Sequence, residues 1–321
     1  MRVLITGASG FAGTWLCRQC AEAGDEVVAL SRRGLVPEGC GQGVAVDMRD
    51  GEALREAVRA ARPELVYHLA SLTSVGRSWE APGQTLGDND AITVGMLEAL
   101  RHVAGDAPVV WVSSCEIYGN PEALPATEDL PPRPANPYAV SKVSGEMLAQ
   151  VYAEAYGLEI VRARPFSHSG PGQLPIFLLS SLAAQAAEGR RAGAAALQII
   201  TGNPDTRRDF TDVRDVVRAY RLLAKALVSG TPGAAGGVFN VSTGRSVSAG
   251  EQVALLGELM APIEVRHTVD PTRVRAAEVM DLRGDPARLR ALTGWEPEIP
   301  LRQTMADTIA FWEREQERVA T

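Results

Sequence analysis

The sequence predicts an α/β fold built on a doubly wound parallel sheet, and two observations carry that prediction. Short apolar strands alternate with helical stretches through the first half of the chain, which is the pattern of βαβ units. At the first strand-to-helix junction stands GASGFAG, with Gly7, Gly10 and Gly13 spaced three apart. Glycines there let the backbone approach a diphosphate closely.

The first strand is RVLIT (2–6) and the first helix TWLCRQCAEAG. The helix N-terminus offers free N–H groups and the positive end of its dipole to a pyrophosphate. Gly7, Gly10, Phe11 and Gly13 are therefore assigned to a dinucleotide site. The second strand, EVVALS (26–31), ends in Ser31, Arg32 and Arg33. An acidic residue at that place would hold the ribose 2′-hydroxyl of NAD. Arginines suit a 2′-phosphate by charge and fork geometry, so NADP(H) is favoured and NAD(H) is the alternative. The third strand, GVAVD, ends at Asp47 and Met48, placed to meet the adenine. After the helix DGEALREAVRAAR comes the strand ELVYHLAS, whose end at Leu69, Ala70 and Ser71 closes on the cofactor. A further helix, DNDAITVGMLEALRHVA, leads to the fifth strand, PVVWVSS.

Ligands of such a sheet sit at the carboxyl ends of its strands. The segment SSCEIYG puts Ser114, Cys115 and Glu116 at that rim. PANPYAVSK follows, ahead of the helix formers GEMLAQVYAEAY, and in it Tyr138 and Lys142 stand four residues apart. On a helix that spacing turns both side chains to one face. An ammonium beside a phenol lowers the phenol's pKa, which gives a group able to exchange a proton with a hydroxyl or carbonyl.

Composition narrows the function classes. The chain has 321 residues, 45% hydrophobic and 22% charged, with a formal charge of −7. That length allows two domains, and the acidic balance argues against a nucleic-acid partner. No apolar run approaches the roughly 18 residues of a membrane span, and MRVLITGASG opens directly on a strand and turn, without a signal peptide. A cytoplasmic protein is expected. The four cysteines (Cys17, Cys20, Cys40, Cys115) form no disulfide framework. Cys17 and Cys20 read as C-x-x-C inside the first helix, without a second pair or histidine cluster, so no metal site is expected.

With GASGFAG, HLAS, SSCEIYG, PYAVSK and RARPFSHSGPGQ in order, the chain resembles the extended short-chain dehydrogenase/reductases, the nucleotide-sugar epimerase and dehydratase group. RPFSHSGPGQ, RRDFTDVRDVVRAY, DPTRVRAAEV and TGWEPEIPL make it most similar to GDP-6-deoxy-4-keto-mannose reductases and GDP-mannose 4,6-dehydratases. The resemblance implies a Rossmann-type domain over 1–166 with a returning segment near 236–262. It implies a smaller nucleotide-sugar-binding α/β domain over 167–235 and 263–321. The helix in QLPIFLLSSLAAQAAEG would line the nucleotide-base pocket.

The site implied by the resemblance is Ser–Tyr–Lys. Tyr138 passes a proton to or from the sugar oxygen at C4, Ser114 hydrogen-bonds that oxygen, and Lys142 holds the nicotinamide ribose and lowers the phenol's pKa. Glu116 stands where 4,6-dehydratases place the carboxylate that removes the C5 proton, though some reductases also carry an acid there. Cys115 stands where many dehydratases have an acid; it is a proton donor or a small space-filler. A Cys–Glu pair there also resembles a 5,6-dehydratase of nucleoside-antibiotic biosynthesis. Ser167 replaces the family's usual Asn, so the substrate stays open at that point. His168 orders the same loop. Arg208, Arg275 and Glu278 match positions that hold the nucleotide diphosphate and ribose. The implied reaction is reduction of a GDP-4-keto-6-deoxyhexose; a dehydratase and then a 4-epimerase are the alternatives, and homodimerisation is a family-level expectation. A non-catalytic dinucleotide sensor on this fold would usually lack the Tyr or Lys, and both are present.

Overall fold

The computed structural model of the chain describes residues 1–273 and 279–320. In chain order the first half runs β1 (Arg2–Thr6), α1 (Phe11–Glu22), β2 (Glu26–Ser31), β3 (Gln42–Ala45), α2 (Gly51–Ala61), β4 (Leu65–His68), α3 (Val75–Glu80), α4 (Pro82–Val103), β5 (Val109–Val112), α5 (Pro137–Tyr156) and β6 (Ile160–Pro165). The second half adds β7 (Ser167–Ser169), α6 (Leu178–Arg191), β8 (Ala196–Thr201), β9 (Arg207–Arg208), β10 (Phe210–Asp212), α7 (Val213–Val228) and β11 (Val238–Val241). It closes with β12 (Val247–Ser248), α8 (Ala249–Met260), β13 (Glu264–Val269), β14 (Asp281–Leu282), α9 (Ala287–Thr293) and α10 (Leu301–Ala320).

Seven parallel strands form the main sheet in the order β11-β6-β5-β4-β1-β2-β3. Alternation along β1 feeds two cores: Val3 and Ile5 pack under α1 and α7, while Leu4 packs with α2 and α4 residues such as Leu54 and Met96. The strand order reverses between β1 and β4, so their carboxyl ends diverge into a crevice where a ligand can enter. Thr6 ties that junction together. Its hydroxyl is 2.9 Å from His68 Nδ1 and accepts from the amides of Leu69 (3.1 Å) and Ala70 (3.2 Å).

Helix starts follow their caps. Asp50 accepts from the amides of Glu52 and Ala53 at the head of α2, and Asn136 accepts from Ala139 at the head of α5, with Pro137 next in line. Gly157, at φ 71°, ends α5.

A third core forms from α6, α8 and α10 around Leu182, Ile199, Leu256, Met305 and Ile309. Packing thus puts α8 beside α6, while α7 buries Val216, Tyr220 and Leu223 against the main sheet and β11 pairs with β6. We propose a division along these contacts: 1–166 with α7 and β11 on one side, α6, β8, α8, β13 and α10 on the other. It differs from the sequence expectation in moving α7 to the first unit and α8 to the second.

Asp215, on α7, fastens the C-terminal segment. Its buried carboxylate accepts from the amides of Glu298 and Ile299, each at 2.9 Å, and from Arg218, while its carbonyl accepts from Trp295 Nε1. Asp215→Ala strands those donors and is expected to cost about 3 kcal/mol. The denaturant midpoint measures this; a loss under about 0.5 kcal/mol, the surface-substitution range, would contradict the assignment.

Candidate active site

The glycine turn forms one wall of the crevice. Gly7 has φ 69°, and a Cβ there would come within 3.0 Å of the Ala70 amide nitrogen. At Gly13 a Cβ would sit 2.2 Å from the Gly7 carbonyl oxygen, so α1 can lie this close to the turn only without a side chain. Helix α1 starts after Gly10 with no side-chain cap, and Gly10 to Gly13 line the cavity, leaving first-turn amides at its wall. These residues fit a dinucleotide's diphosphate.

The cavity measures about 550 Å³ and runs along the carboxyl ends of β1, β2 and β4 to β6. At one end stand Ser31, Arg32, Asp47 and Met48. The Ser31 hydroxyl is taken up in its own turn, accepting from the Leu35 amide at 3.1 Å. Asp47 is gripped by Arg49, through Nε at 2.9 Å and a terminal nitrogen at 2.6 Å, which holds its carboxyl down at about 2. Arg49 also reaches Asp88 at 3.4 Å. Both Arg49 and Asp88 line the cavity, and neither is singled out by the sequence motifs.

Leu69, Ala70 and Ser71 line its middle. Asn89, buried in α4, holds the following residue in place: it accepts from the Leu72 amide at 2.7 Å and donates to Ser141 Oγ on α5 at 2.8 Å. Its sequence signal is weak, an amide on a buried helix face that also carries Thr85 and Thr93.

At the other end α5 delivers Tyr138 and Lys142 to the cavity, as their spacing predicts, and Ser114, Cys115 and Glu116 meet them there. Lys142 Nζ donates to the Val112 carbonyl at 2.8 Å and lies 3.4 Å from Ser71 Oγ. Burial pulls its pKa down to about 8, opposed by Glu146 one turn further along α5. Tyr138 behaves differently from the sequence expectation. Burial pushes its phenol above 10, the adjacent Ser114 hydroxyl draws it back, and Glu116 and Cys115 push it further up. Lys142 is not among the groups acting on it, because its ammonium is turned to the strand end at Val112. The phenol is therefore protonated at neutral pH.

Glu116 is fixed by Asn136, whose side-chain amide donates to Oε2 at 2.9 Å while its oxygen caps α5. One residue thus sets both the carboxylate and the helix that carries the phenol. Asn136 lies inside PANPYAVSK, where its place before Pro137 marks it as a cap. Cys115 is buried among Ile117, Tyr118, Phe166 and Leu282, and burial raises its thiol well above its usual range. It packs as a small apolar side chain.

Ser167 and His168 line the cavity. His168 Nδ1 is 3.0 Å from the Phe166 carbonyl, and its ring stacks on Phe11 at 5.9 Å. Phe177 and Leu178, at the head of α6, also reach the wall. Arg208 does not line it; its guanidinium donates to the carbonyls of Arg207 (2.8 Å) and Val279 (2.7 Å). Arg275 and Glu278 lie outside the described residues.

A family model described as GDP-mannose 4,6 dehydratase matches residues 4–308. The chain belongs to that family. The GDP-6-deoxy-D-mannose reductase of Pseudomonas aeruginosa is 36% identical to it over 315 residues, covering 97% of each chain. The solved structure of RMD from Pseudomonas aeruginosa complexed with NADPH superposes with a TM-score of 0.84 at 34% identity, over 98% of this chain and 100% of that one. The UDP-glucose 4-epimerase of Thermus thermophilus, complexed with NAD, gives a TM-score of 0.83 at 30% identity, over 97% and 99% of the two chains.

For this family member, the Lys142 environment sets a pH limit. Lys142 loses its proton as pH rises through about 8, well below the usual 10.5. NAD(P)-dependent kcat/KM, which reports the free enzyme, is expected to fall above that point. Lys142→Arg keeps its charge and should remove the alkaline limb from whatever activity it retains. A wild-type profile flat to about pH 10 would contradict this reading.

Proposed function

We propose that the protein reduces a 4-keto-6-deoxyhexose carried on guanosine diphosphate, with NADPH as the hydride source. The observation that carries the reading is the Tyr138 phenol beside Ser114 in the same cavity as the glycine turn and Arg32. Reduction of a ketone needs a hydride at carbon and a proton at oxygen. A bound reduced nicotinamide supplies the hydride. Tyr138 O–H donates the proton to the C4 oxygen, which becomes the product hydroxyl. Ser114 Oγ would hold that oxygen in place, and the buried Lys142 ammonium, one turn along α5, would favour the phenolate left behind. Arg32, at the cavity end where β2 finishes without an acid, supports NADPH over NADH. The relative complexed with NADPH agrees with that choice. Such a reaction fits a cytoplasmic enzyme; no helix among the described residues is long and apolar enough to cross a membrane.

A second reading, elimination of water by a 4,6-dehydratase, draws on Glu116, whose carboxylate faces the cavity and is locked by Asn136. One pair of incubations separates the two. With GDP-4-keto-6-deoxymannose and NADPH, absorbance at the reduced nicotinamide band is expected to fall stoichiometrically with substrate. Tyr138→Phe should slow that loss by on the order of 10²–10⁴-fold. Dehydration of GDP-mannose with no net change in cofactor would instead favour the elimination.

The same reading includes a homodimer. Helix α5 exposes Val140 (42%), Met147 (61%) and Val151 (54%) along one stripe, and Val94 (43%) on the adjacent α4 is exposed as well. Sedimentation should give a dimer for the wild type and a monomer for Met147→Glu/Val151→Glu; a monomeric wild type would sink the proposal.

A further inference from the structure

A second cavity, of about 590 Å³, opens on the outer side of the glycine turn. Its walls come from α1, the start of α7, α10 and the loop at Pro171–Gly172. Three guanidiniums line it, those of Arg18, Arg214 and Arg314. Arg214 is already neutralised, by Asp212 at 2.8 Å and Asp307 at 2.7 Å. Glu315, the other carboxylate in the lining, is engaged by Arg318 at 3.1 Å. Arg18 lies over the Trp15 ring at 5.1 Å, and neither it nor Arg314 has an acidic partner within ion-pair distance among the described residues. Both are exposed, so their charge is open to an external anion rather than met within the chain.

We propose that this cavity binds a phosphate-bearing anion between Arg18 and Arg314. Guanidinium forks match phosphate oxygens in charge and geometry, and the hydroxyl of Ser9 in the lining adds a donor. The site is not isolated from the first cavity. Ser9, Gly10 and Phe11 line both. Trp15 Nε1 donates to the Pro171 carbonyl at 2.9 Å, and two residues on Gln173, which faces the first cavity, bonds the His168 carbonyl. An anion here stands across one turn from the dinucleotide's diphosphate. Like charges at that separation repel, so each ligand weakens the other, and linkage makes the effect reciprocal.

Calorimetric titration of the NADPH-saturated enzyme with inorganic pyrophosphate tests the site. Saturation keeps the probe off the dinucleotide's own phosphate positions. The expected result is a single site, weakened by added salt, that loses tenfold or more in affinity in Arg18→Gln/Arg314→Gln. The double variant should turn over substrate at the wild-type rate when pyrophosphate is left out. A repeat with guanosine diphosphate identifies the ligand's source: tighter binding lost in the same double variant points to a nucleotide, equal binding to the phosphates alone. No heat with the wild type, or equal affinity in the double variant, overturns the proposal.

Discussion

The site depends on where one buried ammonium can go. Lys142 leaves α5 into the strand ends, and taking a charge out of water requires partners that remain fixed. The Val112 carbonyl at the end of β5 is the nearer partner, at 2.8 Å, and Ser71 after β4 the farther. That contact registers α5 against the sheet. Tyr138, one turn earlier, then has to sit beside Ser114, and Asn136, two residues before it, beside Glu116. Behind it Glu146 is paired with Arg164 at 2.6 Å, both buried, so the negative charge that favours the ammonium is itself held in place. A single helix thereby carries the cap, the acid, the cation and its counter-charge.

The electrostatics around this helix are set by burial. The Lys142 ammonium is bonded to the strand end, and burial raises the Tyr138 phenol. Cys115 and Glu116, which an elimination would call on, both line the cavity and are both held from behind. The thiol fills the apolar cluster around Phe166, and the carboxylate is bonded to the helix cap.

Much of this was legible in the sequence because it is local. The strands RVLIT and EVVALS need only their apolar runs, and the observed bounds of β1 and β2 are those read from them. Gly13 is demanded by a close approach within seven residues of chain, and the Tyr138–Lys142 pair by helix geometry alone. What the sequence left hidden is non-local. The grip of Arg49 on Asp47 was open to reading at two residues' distance, but its reach to Asp88 crosses 39 residues. The Asn89–Ser141 bond joins two helices whose packing no motif encodes. The direction of the Tyr138 shift was misread because spacing shows which residues share a face and not which way an ammonium bends. Arg208 was expected against the ligand, yet its short strand between β12 and β14 turns its guanidinium to backbone carbonyls instead.

The central claim is that hydride and proton meet at one sugar carbon and its oxygen, beneath Tyr138 and Ser114. Its most direct test follows the label from NADPH deuterated at the transferring position of the nicotinamide, in a single turnover with the 4-keto sugar nucleotide. Magnetic resonance of the product should find one deuterium at C4 and none at C5 or C6. Deuterium that stays on the cofactor, or a C4 hydrogen drawn from solvent, would contradict the account.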